Sequence, residues 1–144
     1  MMWNRKTFNT ILKPMSEIKL NTKRTGWLGE QAVAKNLISE HGLDVYFPVV
    51  DDKGVDMIVD TGRNLKRVQV KTRKSKKSNT SVEVRLGQYK GSNIDVIAIY
   101  YEPKDIIAYV PYNDEEFLNL ALSTAKNNQE QGRTWFYKYM EFPL

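Results

Sequence analysis

Residues 54–73 read GVDMIVDTGRNLKRVQVKTR and contain two β-strand patterns separated by a turn. The run from Val55 to Asp60 is rich in β-branched residues, and Thr61-Gly62-Arg63-Asn64 supplies turn-forming residues. From Leu65 to Arg73 apolar and polar residues alternate, which predicts a strand with one dry face and one polar face. Val68 and Val70 belong to the dry face, and the polar face carries Arg67, Gln69, Lys71 and Arg73.

The sequence before this pair of strands predicts a helix and a further strand. Residues 25–40 form an amphipathic pattern with Thr25 as the predicted N-cap. Glu30 projects from the apolar side of that pattern, where a carboxylate is costly without a partner. Leu43 to Val50 is rich in β-branched and aromatic residues, and the turn at residues 51–54 predicts a hairpin with the strand that follows.

The remaining elements complete a single α/β domain. After a flexible loop, strands are predicted at residues 82–86, 94–101 and 106–110, the second of them apolar enough to be covered on both sides. The acids at Asn113-Asp114-Glu115-Glu116 predict the start of a helix, with Phe117, Leu118, Ala121, Leu122 and Ala125 facing the sheet and Lys126 near its end. Trp135 to Phe142 is predicted to be a last strand, and 87–93 a possible short helix. The predicted order is α-β-β-β-(α)-β-β-α-β.

Length and composition exclude several classes of protein. The 144 residues suit one domain, which we place at 25–144 behind a basic N-terminal arm at 1–24. With no cysteine and one histidine, a disulfide framework, a thiolate zinc site, a cysteine nucleophile and a multi-histidine metal site are all excluded. Because no apolar run approaches ~20 residues, we expect a soluble, cytoplasmic protein with no membrane partner.

The positive charge is concentrated in the first half of the chain. Residues 1–77 hold 16 Lys and Arg against 8 Asp and Glu, whereas residues 78–144 hold 6 against 9. Between Asp60 and Glu83 there is no acid, and eight of the fifteen residues at 63–77 are basic. Such a run indicates either contact with a polyanion, since bound phosphates release condensed counterions, or a solvated basic loop.

Four polar side chains are predicted to meet at one end of the strand pair. Gln69 and Lys71 lie about 6.6 Å apart on one strand face, Asp56 starts a neighbouring strand, and Glu30 comes from the helix. The two carboxylates and the amide are hard oxygen donors suited to Mg²⁺. The ammonium of Lys71 could stabilise charge developing on a phosphate, which makes phosphodiester hydrolysis the predicted chemistry.

These segments resemble the PD-(D/E)XK nuclease superfamily. The similar stretches are Gly26-Trp27-Leu28-Gly29-Glu30, Gly54-Val55-Asp56-Met57-Ile58-Val59 and Val68-Gln69-Val70-Lys71-Thr72. The resemblance implies a restriction-endonuclease-like core, with a central mixed β-sheet flanked by helices, and catalytic roles for Glu30, Asp56, Gln69 and Lys71. The chain departs from the family pattern at Val55, which replaces a proline, and at Gln69, which replaces an acid. Losing that acid weakens affinity for a divalent ion and leaves the number of metals open.

The resemblance further implies a Mg²⁺-dependent endonuclease, with Mn²⁺ as a substitute, acting on double-stranded DNA. Group I intron-associated homing endonucleases are most similar; a Holliday junction resolvase and a catalytically silent nucleic-acid binding module are the alternatives. Metal ligands would be Glu30, Asp56 and Gln69. Cutting both strands favours a homodimer or a higher symmetric oligomer. The residues expected to contact DNA are Arg67, Arg73, Lys74, Lys76, Lys77 and Arg85, and candidates for base contacts are Thr80, Ser81, Glu83, Arg85 and Gln88.

Each site residue also has a purely structural interpretation. Glu30 could be a buried ion-pair partner of Lys71 or Arg67. Asp56 could close its own turn as an Asx residue. Gln69 and Lys71 could form the solvent face of an edge strand. A single site accounts for all four residues at once, whereas the structural interpretations require separate coincidences.

Overall fold

The computed structural model describes residues 21–51, 54–74, 78, 80–123 and 133–144. This part of the chain contains one α-helix and eight β-strands, joined in places by short 3₁₀ turns. Their bounds are α1 Thr22–Ser39, β1 Asp44–Tyr46, β2 Met57–Asp60, β3 Leu65–Arg73, β4 Ser81–Arg85, β5 Val96–Tyr101, β6 Ile106–Pro111, β7 Phe117–Ala121 and β8 Thr134–Trp135. None of the helices described is both long enough and apolar enough to cross a membrane.

The central sheet is mixed and has five strands in the order β1-β2-β3-β5-β6. The predicted hairpin is confirmed, because β1 pairs antiparallel with β2, with Asp44 opposite Asp60. Strand β3 pairs antiparallel with β2 and parallel with β5, so it lies in the middle of the sheet. The molecule is an α/β fold of the restriction-endonuclease-like type, as predicted.

The two faces of the central sheet are covered differently. Val68 and Val70 of β3 pack with apolar residues of α1, including Val33 and Leu37. The opposite face, which includes Ile97 of β5, packs against a second sheet with the order β4-β7-β8. Strand β5 is therefore buried on both faces, in agreement with its continuous apolar sequence.

The prediction of a helix that begins at Asn113 is wrong. Residues 117–121 form strand β7, which pairs antiparallel with β4 over its full length. Leu118 and Leu120 point into the core between the sheets, while Phe117 and Asn119 are exposed, so the segment follows a two-residue period. Ala125 and Lys126 lie outside the described residues.

Other predicted boundaries also differ from those observed, and the strand predicted from Leu43 to Val50 is reduced to β1. The strand predicted from Trp135 to Phe142 is reduced to β8, which is followed by a 3₁₀ turn at Phe136–Tyr139. Helix α1 starts earlier than predicted, because Asn21 caps it by accepting a hydrogen bond from the Arg24 amide at 2.9 Å. The predicted basic arm at 1–24 lies outside the described residues except for its last four, which form this cap and the first turn.

Helix α1 approaches the sheet most closely at Gly29. A Cβ atom placed on Gly29 would lie 1.8 Å from Oγ1 of Thr72, so no larger residue fits without a shift of the helix or the strand. Residues Val33, Ala34 and Leu37 continue the buried stripe away from this contact. The close approach brings the next residue, Glu30, to the edge of the sheet where β2 begins.

Candidate active site

Asp56 is held by the backbone of the neighbouring strand. Its amide donates to the carbonyl of Val68 at 2.9 Å, and its Oδ2 atom accepts a hydrogen bond from the amide of Val70 at 2.7 Å. The second contact crosses from one strand to the next, so the interpretation of Asp56 as a residue closing its own turn is wrong. The position of the carboxylate therefore depends on the pairing of β2 with β3.

Gln69 and Lys71 lie on either side of the Val70 amide in β3. Because β3 is central, the interpretation of both residues as part of an edge strand is wrong. The Gln69 side chain is 8% exposed, and its Nε2 donates to the Val70 carbonyl at 3.3 Å. Its Oε1 atom is buried and has no hydrogen-bond partner among the described residues. Leaving a buried oxygen unpaired is costly, and such an atom is suited to binding a ligand.

Glu30 reaches the same place from α1. It shares a hydrogen bond with Asp56, and burial, followed by repulsion from the carboxylates of Asp56 and Asp51, raises the pKa of Glu30 to about 7. The interpretation of Glu30 as an ion-pair partner of Lys71 or Arg67 is wrong, because its described polar partner is another carboxylate. A proton between the two carboxyl groups relieves their repulsion, and a bound cation would do the same.

The pKa of Asp56 lies above its usual value, chiefly because of burial and also because of repulsion from Asp51. The Val70 amide and Lys71 act in the opposite direction and lower it. The sequence pattern predicts only a turn role for Asp51 and does not indicate its electrostatic effect on Glu30 and Asp56. The signal available was its position in the turn that leads to Gly54 and Asp56.

Lys71 is covered by an aromatic ring from a different part of the chain. Its Nζ atom lies 4.6 Å from the centroid of the Tyr89 ring, in cation–π geometry. Tyr89 ends the 3₁₀ turn Gly87–Tyr89, a segment whose structure the sequence left ambiguous. Gly54 has φ +71°, and a Cβ there would lie 3.4 Å from the Tyr89 ring and 3.8 Å from Oε1 of Gln69. Both distances are ordinary van der Waals contacts, so the positive φ, and not a lack of space, favours glycine at this position.

The donor groups at this edge fit a divalent cation. In the part of the chain that is described, no group of three or more His, Asp or Glu side chains is placed to hold a metal ion. The third protein oxygen next to the carboxylates of Glu30 and Asp56 would therefore be the unpartnered Oε1 of Gln69. Two carboxylates and one carbonyl oxygen suit Mg²⁺, which retains several waters and requires few protein ligands.

The basic residues predicted to contact DNA fall into three groups. Arg73 and Arg85 line a common cleft of about 500 Å³ beside β4. Arg67 is exposed on β3, four residues before Lys71, and Lys74 is exposed directly after β3. Lys76 and Lys77 lie outside the described residues.

The overall fold is similar to that of a solved structure. The structure of a bacterial homing endonuclease, I-Ssp6803I, matches this chain with a TM-score of 0.62 and 23% sequence identity. The match covers 84% of this chain and 87% of that chain. This similarity defines the fold as that of a homing endonuclease structure. A comparison with curated proteins gives no match.

The family is shown by the sequence itself. A model of the PD-(D/E)XK endonuclease family matches residues 20–142, which is most of the chain. The chain therefore belongs to the PD-(D/E)XK endonuclease family, as the resemblance in the three short segments indicated.

Proposed function

We propose that this protein is a divalent-metal-dependent endonuclease that hydrolyses phosphodiester bonds in double-stranded DNA. The observation that carries the proposal is the pairing of the Glu30 and Asp56 carboxylates near the Lys71 ammonium, with the buried and unpartnered Gln69 oxygen two residues before Lys71 on the same strand. Membership of an endonuclease family supports nuclease chemistry in general. The proposal adds the metal, the duplex substrate and the roles of the four residues.

The four side chains have two roles in this proposal, namely binding of a cation and stabilisation of negative charge. Glu30, Asp56 and Gln69 would hold Mg²⁺, with Mn²⁺ as a substitute. When bound, the cation would supply Lewis-acid chemistry at the scissile phosphodiester. The Lys71 ammonium faces the same edge and stabilises the negative charge that develops on the phosphoryl oxygens during attack. Arg73 and Lys74 follow on the same strand and its end, where they can contact backbone phosphates.

We further propose that the protein is a homing endonuclease that acts as a symmetric oligomer. Its support is the structural similarity to a homing endonuclease and the one candidate site among the described residues, since two sites in a symmetric oligomer favour cutting of both strands. A branched junction is the competing substrate. Offering a four-way junction and a linear duplex together separates the two, because a resolvase would prefer the junction whatever its sequence.

The test of the proposed activity is nicking of supercoiled plasmid with Mg²⁺ or Mn²⁺. We expect Lys71→Ala to lower the nicking rate by roughly 100- to 1,000-fold, the effect of removing one group that stabilises transition-state charge. Lys66→Ala, which removes the same charge from the opposite face of β3, is the control and should retain the rate. Equal nicking by the wild type and Lys71→Ala would reject the assignment.

Calorimetry with Mg²⁺ or Mn²⁺ distinguishes an enzyme from a silent binding module. Asp56→Asn should abolish ion binding, whereas Asp44→Asn, at an exposed position of β1, should leave it intact. A wild-type protein that binds DNA but neither ion would be a silent module, and the proposal would fail.

A further inference from the structure

Strands β4 and β7 form an antiparallel ribbon with one buried face and one exposed face. Val82, Val84, Leu118 and Leu120 point into the core between the sheets. In the register of the pair, Glu83 lies opposite Asn119 and Arg85 lies opposite Phe117. These four outward residues are all exposed, and we call them the outer ribbon face.

The polar groups on the outer ribbon face are not used to hold the fold together. Within the described residues, the Arg85 guanidinium, the Asn119 amide and the Glu83 carboxylate form no hydrogen bond or ion pair. Apart from the strand pairing, Glu83 contributes its backbone carbonyl, which accepts from Arg73. Three exposed side chains with different donor and acceptor patterns are therefore available to a ligand.

Arg73 connects this face to the candidate active site. Its Nε donates to the Glu83 carbonyl at 3.1 Å, and one guanidinium nitrogen donates to the Thr72 carbonyl at 3.0 Å. These bonds fix the guanidinium between β3 and β4, in the cleft that it lines with Arg85. Arg73 follows Lys71 by two residues on the same face of β3, about 6.6 Å away. Arg73 therefore links the strand that carries Lys71 to the cleft beside the ribbon.

We propose that the outer ribbon face reads base edges in the major groove of duplex DNA, while Arg73 holds a backbone phosphate between this face and the cleavage site. The proposal rests on the proposed function and adds the surface that selects the sequence. Strand β8 pairs with β7 only at Leu120 and Ala121, so the ribbon has two strands at Phe117–Asn119, which is the width that the major groove admits. Arg pairs with guanine, Asn with adenine and Glu with the cytosine amino group, while Phe contacts the thymine methyl.

A second copy of the chain fits this face less well than DNA does. Phe117 is the one large apolar side chain among the four residues, whereas the centres of stable interfaces are apolar and depleted of charge. A face with both charges and an amide instead matches the mixed donors and acceptors of base pairs. Arg73, held by two carbonyls, adds a preorganised cation for the adjacent phosphate.

The experiment is selection of bound sequences from a library of duplexes with a randomised central block, carried out in EDTA so that binding is measured without cleavage. We expect the wild type to enrich a defined sequence. Arg85→Ala should lose discrimination at a guanine and Asn119→Ala at an adenine, each by roughly tenfold to a hundredfold. Arg63→Ala, in the turn at the opposite end of β3, is the matched control and should enrich the wild-type sequence.

The outcomes separate this proposal from the proposed function. If Arg85→Ala and Asn119→Ala enrich the wild-type sequence undiminished, or if the wild type enriches none, the reading surface is wrong whatever the plasmid assay shows. If the variants alter the selected sequence but the wild type never nicks plasmid, the nuclease assignment fails and the reading surface stands. Conversion of an oligomer to a monomer by Phe117→Ser, with unchanged base preference, would assign the face to a second copy and overturn the proposal.

Discussion

The side chain of Lys71 contacts a residue that is close to it in space and distant in sequence. The Tyr89 ring covers its ammonium at 4.6 Å and is separated from it along the chain by all of β4. The strand pattern predicted Lys71 itself, because alternation places it beside Gln69. It could not predict Tyr89, because a contact between β3 and a turn after β4 exists only once both sheets have packed.

We expect Tyr89 to act as a positioning residue for Lys71. Tyr89→Leu removes the ring and should lower kcat by roughly tenfold with KM nearly unchanged, since a cation–π contact contributes about 0.5–2 kcal/mol. Tyr89→Phe keeps the ring and should restore kcat, which a role for the hydroxyl would not allow. Plasmid nicking under saturating DNA measures both variants. Equal loss in Tyr89→Phe and Tyr89→Leu would contradict the prediction.

The helix α1 and the strand β7 show which elements a sequence pattern can predict. The α1 pattern extends over 18 residues, so its period is clear, and its contacts are repeated every turn. Strand β7 has five residues, and the spacing of its leucines and of the acids before it also suits a helix. Pairing with β4, more than thirty residues earlier, decides the outcome. Local propensity contains no information about that pairing.

The contact between α1 and β3 should make Gly29 sensitive to substitution. Gly29→Ala puts a Cβ 1.8 Å from Thr72 Oγ1, so the helix must move, at a cost of about 1–3 kcal/mol of unfolding free energy. Because Glu30 moves with the helix, nicking should also fall. Denaturant unfolding and the plasmid assay measure the two effects.

Gly26 provides the matched control on the same helix. A Cβ at Gly26 has nothing within 4 Å, so Gly26→Ala should stabilise the protein by about 0.5–1 kcal/mol through helix propensity. Similar unfolding free energies for the two alanine variants would show that the helix can move away from Thr72 at no cost.

The carboxyl groups of Glu30 and Asp56 affect the stability of the whole molecule. Glu30 titrates normally near 4.5, and in the folded state its pKa is about 7, chiefly because of burial and the charges of Asp56 and Asp51. The folded state therefore binds the proton more tightly than the unfolded state. The resulting stabilisation is complete below pH 4.5 and is lost as the pH rises toward 7. Lys71, which favours the ionised form of Asp56, partly opposes this loss.

In EDTA, we expect the wild type to lose more thermal stability between pH 5 and pH 8 than Glu30→Gln does. At pH 8, Mg²⁺ should raise Tm of the wild type by binding the folded state, and it should raise Tm of Glu30→Gln much less. Calorimetric scans at the two pH values, with and without Mg²⁺, make the comparison. Parallel changes of Tm in both proteins would show that Glu30 ionises normally in the fold.

The hydrogen bond from the Val70 amide to Asp56 ties the chemistry to correct strand alignment. A slip of one residue between β2 and β3 would turn Gln69 and Lys71 toward α1 and offer Asp56 a different amide. An incorrectly paired chain would thus have no assembled site at all, rather than a distorted one. For a member of an endonuclease family, this arrangement restricts activity to molecules that have finished folding.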